Sequence, residues 1–172
     1  AQDTSHVWIG TSQGISRIHK ISKRSRPTGI ESYFDDSFIF DLEVIDNQVW
    51  IGTNSQLFIF DIDSQVLYDF RELGDVSFIS DQHDLYRNFW EIYKHDKTVY
   101  AANDLGLISF DIVSGKWSTT FETAHFGNQK INSLAFSDEY CFLGTNFGLY
   151  RIDLKQFFRK DYTYSFIGQV NE

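Results

Sequence analysis

The chain has 172 residues, 42% of them hydrophobic and 17% aromatic, which suffices for one domain with a real core and excludes a disordered tract or linker. Its 17 Phe and 9 Tyr, with 1 Pro and no Met, favour strands, because aromatic side chains suit a pleated, half-buried surface. A formal net charge of −9 argues against nucleic acid as a partner, since a binder needs a basic face to neutralise phosphates.

A single cysteine, Cys141, excludes an intrachain disulfide framework and supplies no metal-ligand set. No apolar run approaches the roughly 18 residues that a membrane span needs, so no membrane insertion is expected of this segment, and no signal peptide is recognisable. The chain opens Ala1-Gln2-Asp3 instead of with Met, a start that suits a secreted protein after removal of a signal segment.

In chain order, residues 7–20 read VWIGTSQGISRIHK, a strand, a turn and a second strand. The basic run KISKRSR at 20–26 follows as a solvated outer strand or loop, able to dock an acidic partner. DLEVIDNQ, around Leu42, predicts an inner strand ending in a polar turn at Asp46. The second core, VWIGTNSQLFIFDID, occupies 49–63, with an outer strand near 65–70. A third inner strand, EIYKHDKT, carries Ile92 and Asp96 and leads into VYAANDLGLISFDI at 99–112 and an outer strand near 116–121. The fourth, SLAFSDEY, carries Leu134 and Asp138, leads into CFLGTNFGLYRIDL at 141–154, and an outer strand is expected near 158–164.

The cores start at 7, 49, 99 and 141, so they are 42, 50 and 42 residues apart. A period in the forties is that of a four-stranded propeller blade, and the short β-type runs reject helical repeats of similar length. Gly14, Gly106 and Gly148 recur at one turn position, where glycine permits a positive φ; Gln56 replaces it in the second core and predicts a different turn there. Asp61, Asp111 and Asp153 recur further on, with His19 at that place in the first core, and are expected to cap turns. The near-continuous apolarity of WIGT predicts strands covered on both faces, with Trp8, Trp50, Tyr100 and Phe142 as packing between blades and Cys141 as a buried thiol.

The fold expected is therefore all-β, a β-propeller-type array of about four four-stranded antiparallel blades in one domain spanning 1–172. The first core lacks an upstream inner strand. The tail SFIGQV could supply it by pairing the two chain ends into a small closed ring, or the array is part of a larger propeller.

WIGT followed by Gly-Leu or Gly-Ile and an Arg-x-Asp-like ending resembles the two-component regulator propeller repeat. Residues 8–19, 50–61 and 142–153 carry the resemblance best, whereas Ala101 and Ala102 replace the Ile-Gly pair in the third core. The resemblance implies a periplasmic sensor domain standing in front of a histidine kinase or diguanylate cyclase, often recognising oligosaccharides; related repeats occur in cell-surface and secretion-system propellers. No kinase, cyclase or membrane segment lies in these residues.

Candidate sites fall on the loops, which carry variation on a rigid frame. In an up-and-down blade the turn between the second and third strands shares a face with the connection between blades. That face would present Ser12, Gln13, Asn54, Ser55, Asn103, Asp104, Asn146 and Phe147, together with loops around 33–37, 72–88 and 122–130. Amides, a carboxylate and aromatics suit a polar ligand such as a sugar. The 50-residue spacing places eight extra residues in ELGDVSFISDQHDLYRNF, adding Asp81, His83, Tyr86 and Arg87 to the candidate ligand-binding set. Asp81, His83 and Asp84 are too closely spaced to converge readily on a metal, so none is expected, nor any cofactor.

The five His residues are scattered, and no G-x-S-x-G elbow or Walker-type loop appears. The sequence thus points to a non-catalytic, ligand-binding sensor propeller in the periplasm or outside the cell, with a polar small molecule, an oligosaccharide or a protein as partner. The alternative is a protein–protein scaffold within a larger surface or secretion assembly. A third reading, a carbohydrate-active enzyme, would need two of Asp81, Asp84 and Asp104 at a separation suited to glycoside chemistry.

Overall fold

The computed structural model describes residues 1–77, 86–160 and 163–168. They form four antiparallel sheets in which strands are ordered as they occur in the chain. The first holds β1 (His6–Thr11), β2 (Gly14–His19) and the short β3 (Ser25–Arg26). The second holds β4 (Ile39–Ile45), β5 (Gln48–Thr53), β6 (Leu57–Asp61) and β7 (Val66–Asp69). The third holds β8 (Glu91–His95), β9 (Thr98–Asn103), β10 (Gly106–Asp111) and β11 (Lys116–Glu122). The fourth holds β12 (Ile131–Phe136), β13 (Tyr140–Thr145), β14 (Gly148–Asp153) and β15 (Ser165–Gly168). Each sheet is a propeller-type blade, and the inner strands expected around Leu42, Ile92 and Leu134 are β4, β8 and β12.

Two expectations are overturned. The outer strand foreseen at 158–164 is absent from the described part of that range; instead α1 (Leu154–Phe158) follows β14 directly. Asp153 caps it by accepting the Lys155 N–H at 2.8 Å, and Leu, Lys and Gln are good helix formers. The tail does not complete the first blade either. β15 pairs with β14 through Leu149↔Gly168 and Tyr150↔Phe166, so it is the outer strand of its own blade. Among the described residues the first blade has three strands, and the edge of β1 is met by the chain start: Gln2 bridges Val7, and Ala1 and Trp8 exchange backbone hydrogen bonds.

The repeated punctuation residues act through local hydrogen bonds. Asp61 and Asp111 accept the N–H groups of Ser64 and Ser114 at 2.8 and 2.6 Å. His19 does the same for Ser22 at 3.2 Å through Nδ1, so an imidazole nitrogen replaces a carboxylate oxygen. Asp46 and Asp96, each the first residue of a two-residue turn, take left-handed φ values of 54° and 52°, which Asp accepts more readily than most residues. As the missing glycine foretold, the β5–β6 turn differs. The strand ladder stops at Gly52↔Leu57, and Asn54 and Ser55 form a bend without a left-handed residue.

The chain divides into two compact units, 1–73 with 87–92 and 74–86 with 93–172. In the first unit, Trp8 and Ile15 of the first blade pack against Val49, Ile51 and Phe60 of the second, the rings of Trp8 and Phe60 meeting edge-on at 5.8 Å. Gly10 belongs to this contact, since a Cβ there would lie 2.4 Å from Ile39 of the next blade. In the second unit, Tyr100, Leu107 and Phe121 of the third blade pack against Cys141, Leu143 and Ile152 of the fourth, with Phe157 of α1 among them. WIGT-type strands are buried on both faces in the second and third blades. In the first and fourth they alternate: Trp8 is buried while Val7 and Ile9 are exposed, and Cys141 and Leu143 are buried while Phe142 is only half-buried. Phe142 therefore departs from the fully packed role expected for it.

Candidate functional site

The turns between second and third strands are built alike. Thr11, Thr53 and Thr145 each donate a hydroxyl to a carbonyl three residues on (Gly14, Gln56 and Gly148) and accept the N–H two residues on. These turns meet the connections between blades, the shared face expected from the sequence. In the first unit Asn54 exchanges two bonds with Phe38, its Oδ1 accepting the Phe38 N–H at 2.9 Å and its N–H reaching the Phe38 carbonyl at 3.1 Å. Its own carbonyl accepts the Asn88 N–H. Asn54 thus fastens two connections, and Ser55 lies exposed beside it with its hydroxyl 3.0 Å from that of Thr53.

The third blade breaks the threonine rule. Asn103 stands at that position, fully buried, and its Oδ1 accepts the Leu105 N–H at 2.8 Å, as the threonine oxygens do for their turns. Its Nδ2 has no hydrogen-bond partner among the described residues. Next to it Asp104 pairs with Lys130 at 2.8 Å. Two residues on, Asn132 Nδ2 donates to Asn146 Oδ1 at 2.5 Å, and Gln129 Oε1 accepts the hydroxyls of Thr145 and Tyr150 at 2.9 and 3.1 Å. The stretch 129–132, leading into β12, thereby ties the turn of the third blade to that of the fourth. Phe147 stands exposed at the tip of the latter turn.

Of the residues expected at a ligand site, the second unit brings together Asn103, Asp104, Asn146 and Phe147. Lys130, at the limit of an expected loop, and Asn132, just before the predicted strand segment at 133–140, complete the group and were not singled out; their sequence signal is nearness to the start of an inner strand. Tyr86 lies elsewhere. It is buried, and its hydroxyl, hydrogen-bonded to Thr119, is pushed up from the ordinary tyrosine range by burial, so it packs against β11. Arg87 is exposed in the first unit. Asp81, His83 and Asp84 lie outside the described residues. Among the described residues no three His, Cys, Asp or Glu side chains are grouped to hold a metal, and no helix is long and apolar enough to cross a membrane. Cys141 is buried, which raises its thiol above its usual range and leaves it unreactive.

A second polar feature was not foreseen. Inner-strand carboxylates gather in the first unit: Asp41 and Glu43 on β4 and Glu91 at the start of β8. Asp41 accepts the Ile92 and Leu42 N–H groups at 2.6 and 2.8 Å, yet burial still raises its pKa. Burial, then the charges of Asp41 and Glu43, push Glu91 from 4.5 up to about 7. Between those two values the folded chain holds a proton that the unfolded chain has released, so stability falls as pH rises through this window. Glu91→Gln removes that penalty. It is expected to stabilise the protein by about 1–2 kcal/mol above the upper value, the half-exposed site being partly screened, and to change little below the lower one. Melting temperature against pH for both proteins checks this.

No family model and no curated protein matches the chain. Solved structures do. The extracellular domain of the hybrid two component system BT3049 from B. thetaiotaomicron superposes with a TM-score of 0.68 at 14% identity, over 100% of this chain and 21% of its own. That of the one component system BT4673 from the same organism gives 0.67 at 16%, over 99% of this chain and 22% of its own. BamB from Moraxella catarrhalis gives 0.52 at 13%, over 100% of this chain and 49% of its own. The chain thus spans about a fifth of the length of the two extracellular domains. What the likeness shows is the fold, in agreement with the repeat read from the sequence: this chain is a run of β-propeller blades built like those of extracellular domains of two- and one-component systems.

Proposed function

We propose that the chain is a non-catalytic, ligand-binding segment of an extracytoplasmic sensor propeller, and that it takes a polar ligand of oligosaccharide type at the turns of its third and fourth blades. The observation that carries this reading is Asn103: a buried amide donor without a partner among the described residues, at a place where the other three blades put a threonine that bonds within its own turn, next to the Asp104–Lys130 pair and with the Asn132–Asn146 amides in the same unit. A buried donor left unpaired is costly, and sites that retain one commonly serve a ligand. Amides and a charge pair, with the exposed aromatic Phe147 next to Asn146 in the chain, offer the donors, acceptors and flat face that a sugar hydroxyl pattern requires. Likeness in fold to extracellular domains of signalling systems supports the location and the sensing role.

A ligand bound only by the folded state raises the melting temperature, by about 2.7 kcal/mol of stability at one hundred times its Kd. A panel of oligosaccharides is expected to yield at least one such shift with the sugar recovered uncleaved. Cleavage would refute the non-catalytic reading, and no shift from any saturating sugar would refute the ligand class. Asn103→Thr supplies the missing hydrogen-bond pattern. It is expected to stabilise the free protein by about 1 kcal/mol while abolishing the sugar-induced shift.

A further inference from the structure

Each blade has another repeated connection, the one that leaves β2, β6, β10 or β14. Because neighbouring strands run antiparallel, it lies at the opposite end of its blade from the turns that carry Asn103 and Asn146. His19, Asp61, Asp111 and Asp153 cap it, and two positions further on stand Ile21, Asp63, Val113 and Lys155. All four are exposed, those of the second and third blades included, so exposure at this position belongs to the connection itself.

Charge singles out two of the four. Residues 20–26 and 155–160 hold four and three of the 15 Lys and Arg, and no Asp or Glu, in a chain whose net charge is −9. In the first unit the Lys23 N–H bonds to the His19 carbonyl at 2.9 Å and the His19 N–H to that of Arg24 at 3.0 Å. This closed turn holds Ile21 at its tip, 88% accessible, and Lys23, Arg24 and Arg26 follow it, all exposed. In the second unit α1 buries Phe157 and leaves Phe158 54% accessible, with Lys155, Arg159 and Lys160 exposed in the same stretch. None of these six cations is in an ion pair among the described residues. A bare apolar side chain in a cationic stretch thus occurs in each unit.

A protein partner would call for a broader apolar patch with a shaped surface. An anionic bilayer calls for neither. Apolar tips enter the boundary between headgroups and acyl chains, while Lys and Arg on long stems meet the phosphates. We propose that each unit docks peripherally, without spanning, on an anionic lipid surface. Ile21 with Lys23, Arg24 and Arg26 makes the contact in the first unit, and Phe158 with Lys155, Arg159 and Lys160 in the second.

Flotation of the 172-residue chain with vesicles tests this, using phosphatidylcholine alone and an equal mixture with phosphatidylglycerol. The wild type is expected to float with the mixed vesicles in dilute salt, to stay behind with the neutral ones, and to be released as added salt screens the surface charge. Lys23→Gln combined with Arg24→Gln should weaken partitioning about twenty-five-fold, at about fivefold per cation. Ile21→Ser and Phe158→Ala should each weaken it roughly tenfold. Tyr33→Ser removes an aromatic that is 64% accessible in another connection, and should change nothing. All these side chains are exposed, so each variant should stay folded, which thermal melts verify. Absent binding to the mixed vesicles, equal binding to the neutral ones, undiminished binding by the folded variants, or an equal loss with Tyr33→Ser would overturn the proposal. So would capture by immobilised polyglutamate without vesicle binding, which would make the partner an acidic protein.

Discussion

Replacing Gly106 by alanine is expected to destabilise the protein by about 3–5 kcal/mol, lowering Tm by roughly 10 °C. Two causes add. Gly106 holds a φ of +143°, a conformation that side-chain-bearing residues scarcely adopt. A Cβ would also stand 2.1 Å from the Phe121 carbonyl oxygen and 2.9 Å from the Glu122 Cα, both backbone atoms of β11, so no side chain can swing aside. The clash lies where β10 and β11 shift register, between Leu107 and Ile108, and relief requires pulling that edge apart. Gly115→Ala is the control. Its φ is +66° with nothing within 4 Å, so only the left-handed strain of about 1–2 kcal/mol applies. Equal losses from the two substitutions, measured by thermal melts, would show that conformation and not contact governs Gly106.

Phe157→Ala is expected to cost about 3–5 kcal/mol. The ring is 1% accessible and meets Tyr100 and Phe121 of the third blade at 5.5 and 5.2 Å, and Phe136 of the fourth at 5.3 Å. It therefore fills the seam between two blades, and truncation would leave a cavity that rigid strands on either side cannot close. Phe158, its neighbour, is 54% accessible, and Phe158→Ala should cost less than about 1 kcal/mol. Chemical denaturation of both variants separates the two cases.

The same phenylalanine shows where sequence reading stopped. Strands within the repeat were legible because the apolar runs, the turn glycines and the capping aspartates recur at fixed offsets, and each signal is local. Residues 155–158 lie beyond the repeated core; a five-residue helix has too few positions to show a period, and its buried Phe157 answers to partners 21 to 57 residues away. The two-sided burial of WIGT was read correctly for the second and third blades, but the pattern is just as apolar in the first and fourth, where one face is open. A strand's own residues report what they could pack against, not whether anything is there. The candidate site divides in the same way. Asn103 and Asp104 could be named from their place in a turn, whereas the Lys130 and Asn132 contacts depend on how one blade abuts the next. The carboxylate group of Asp41, Glu43 and Glu91 joins strands separated by about fifty residues and left no trace in either segment alone.

The pairing of β15 with β14 has a consequence for how the chain comes apart. Since the tail completes its own blade, no described ladder returns to an earlier one; the widest strand pairing, Leu149↔Gly168, encloses a single hairpin with α1 inside it. Every sheet can therefore assemble from a contiguous stretch, and within each unit the two blades are coupled by side-chain packing and by hydrogen bonds from the connections, as between nearest neighbours in a repeat array. Amide exchange should then fall into tiers, with the three-stranded first blade opening ahead of the second although both belong to one compact unit.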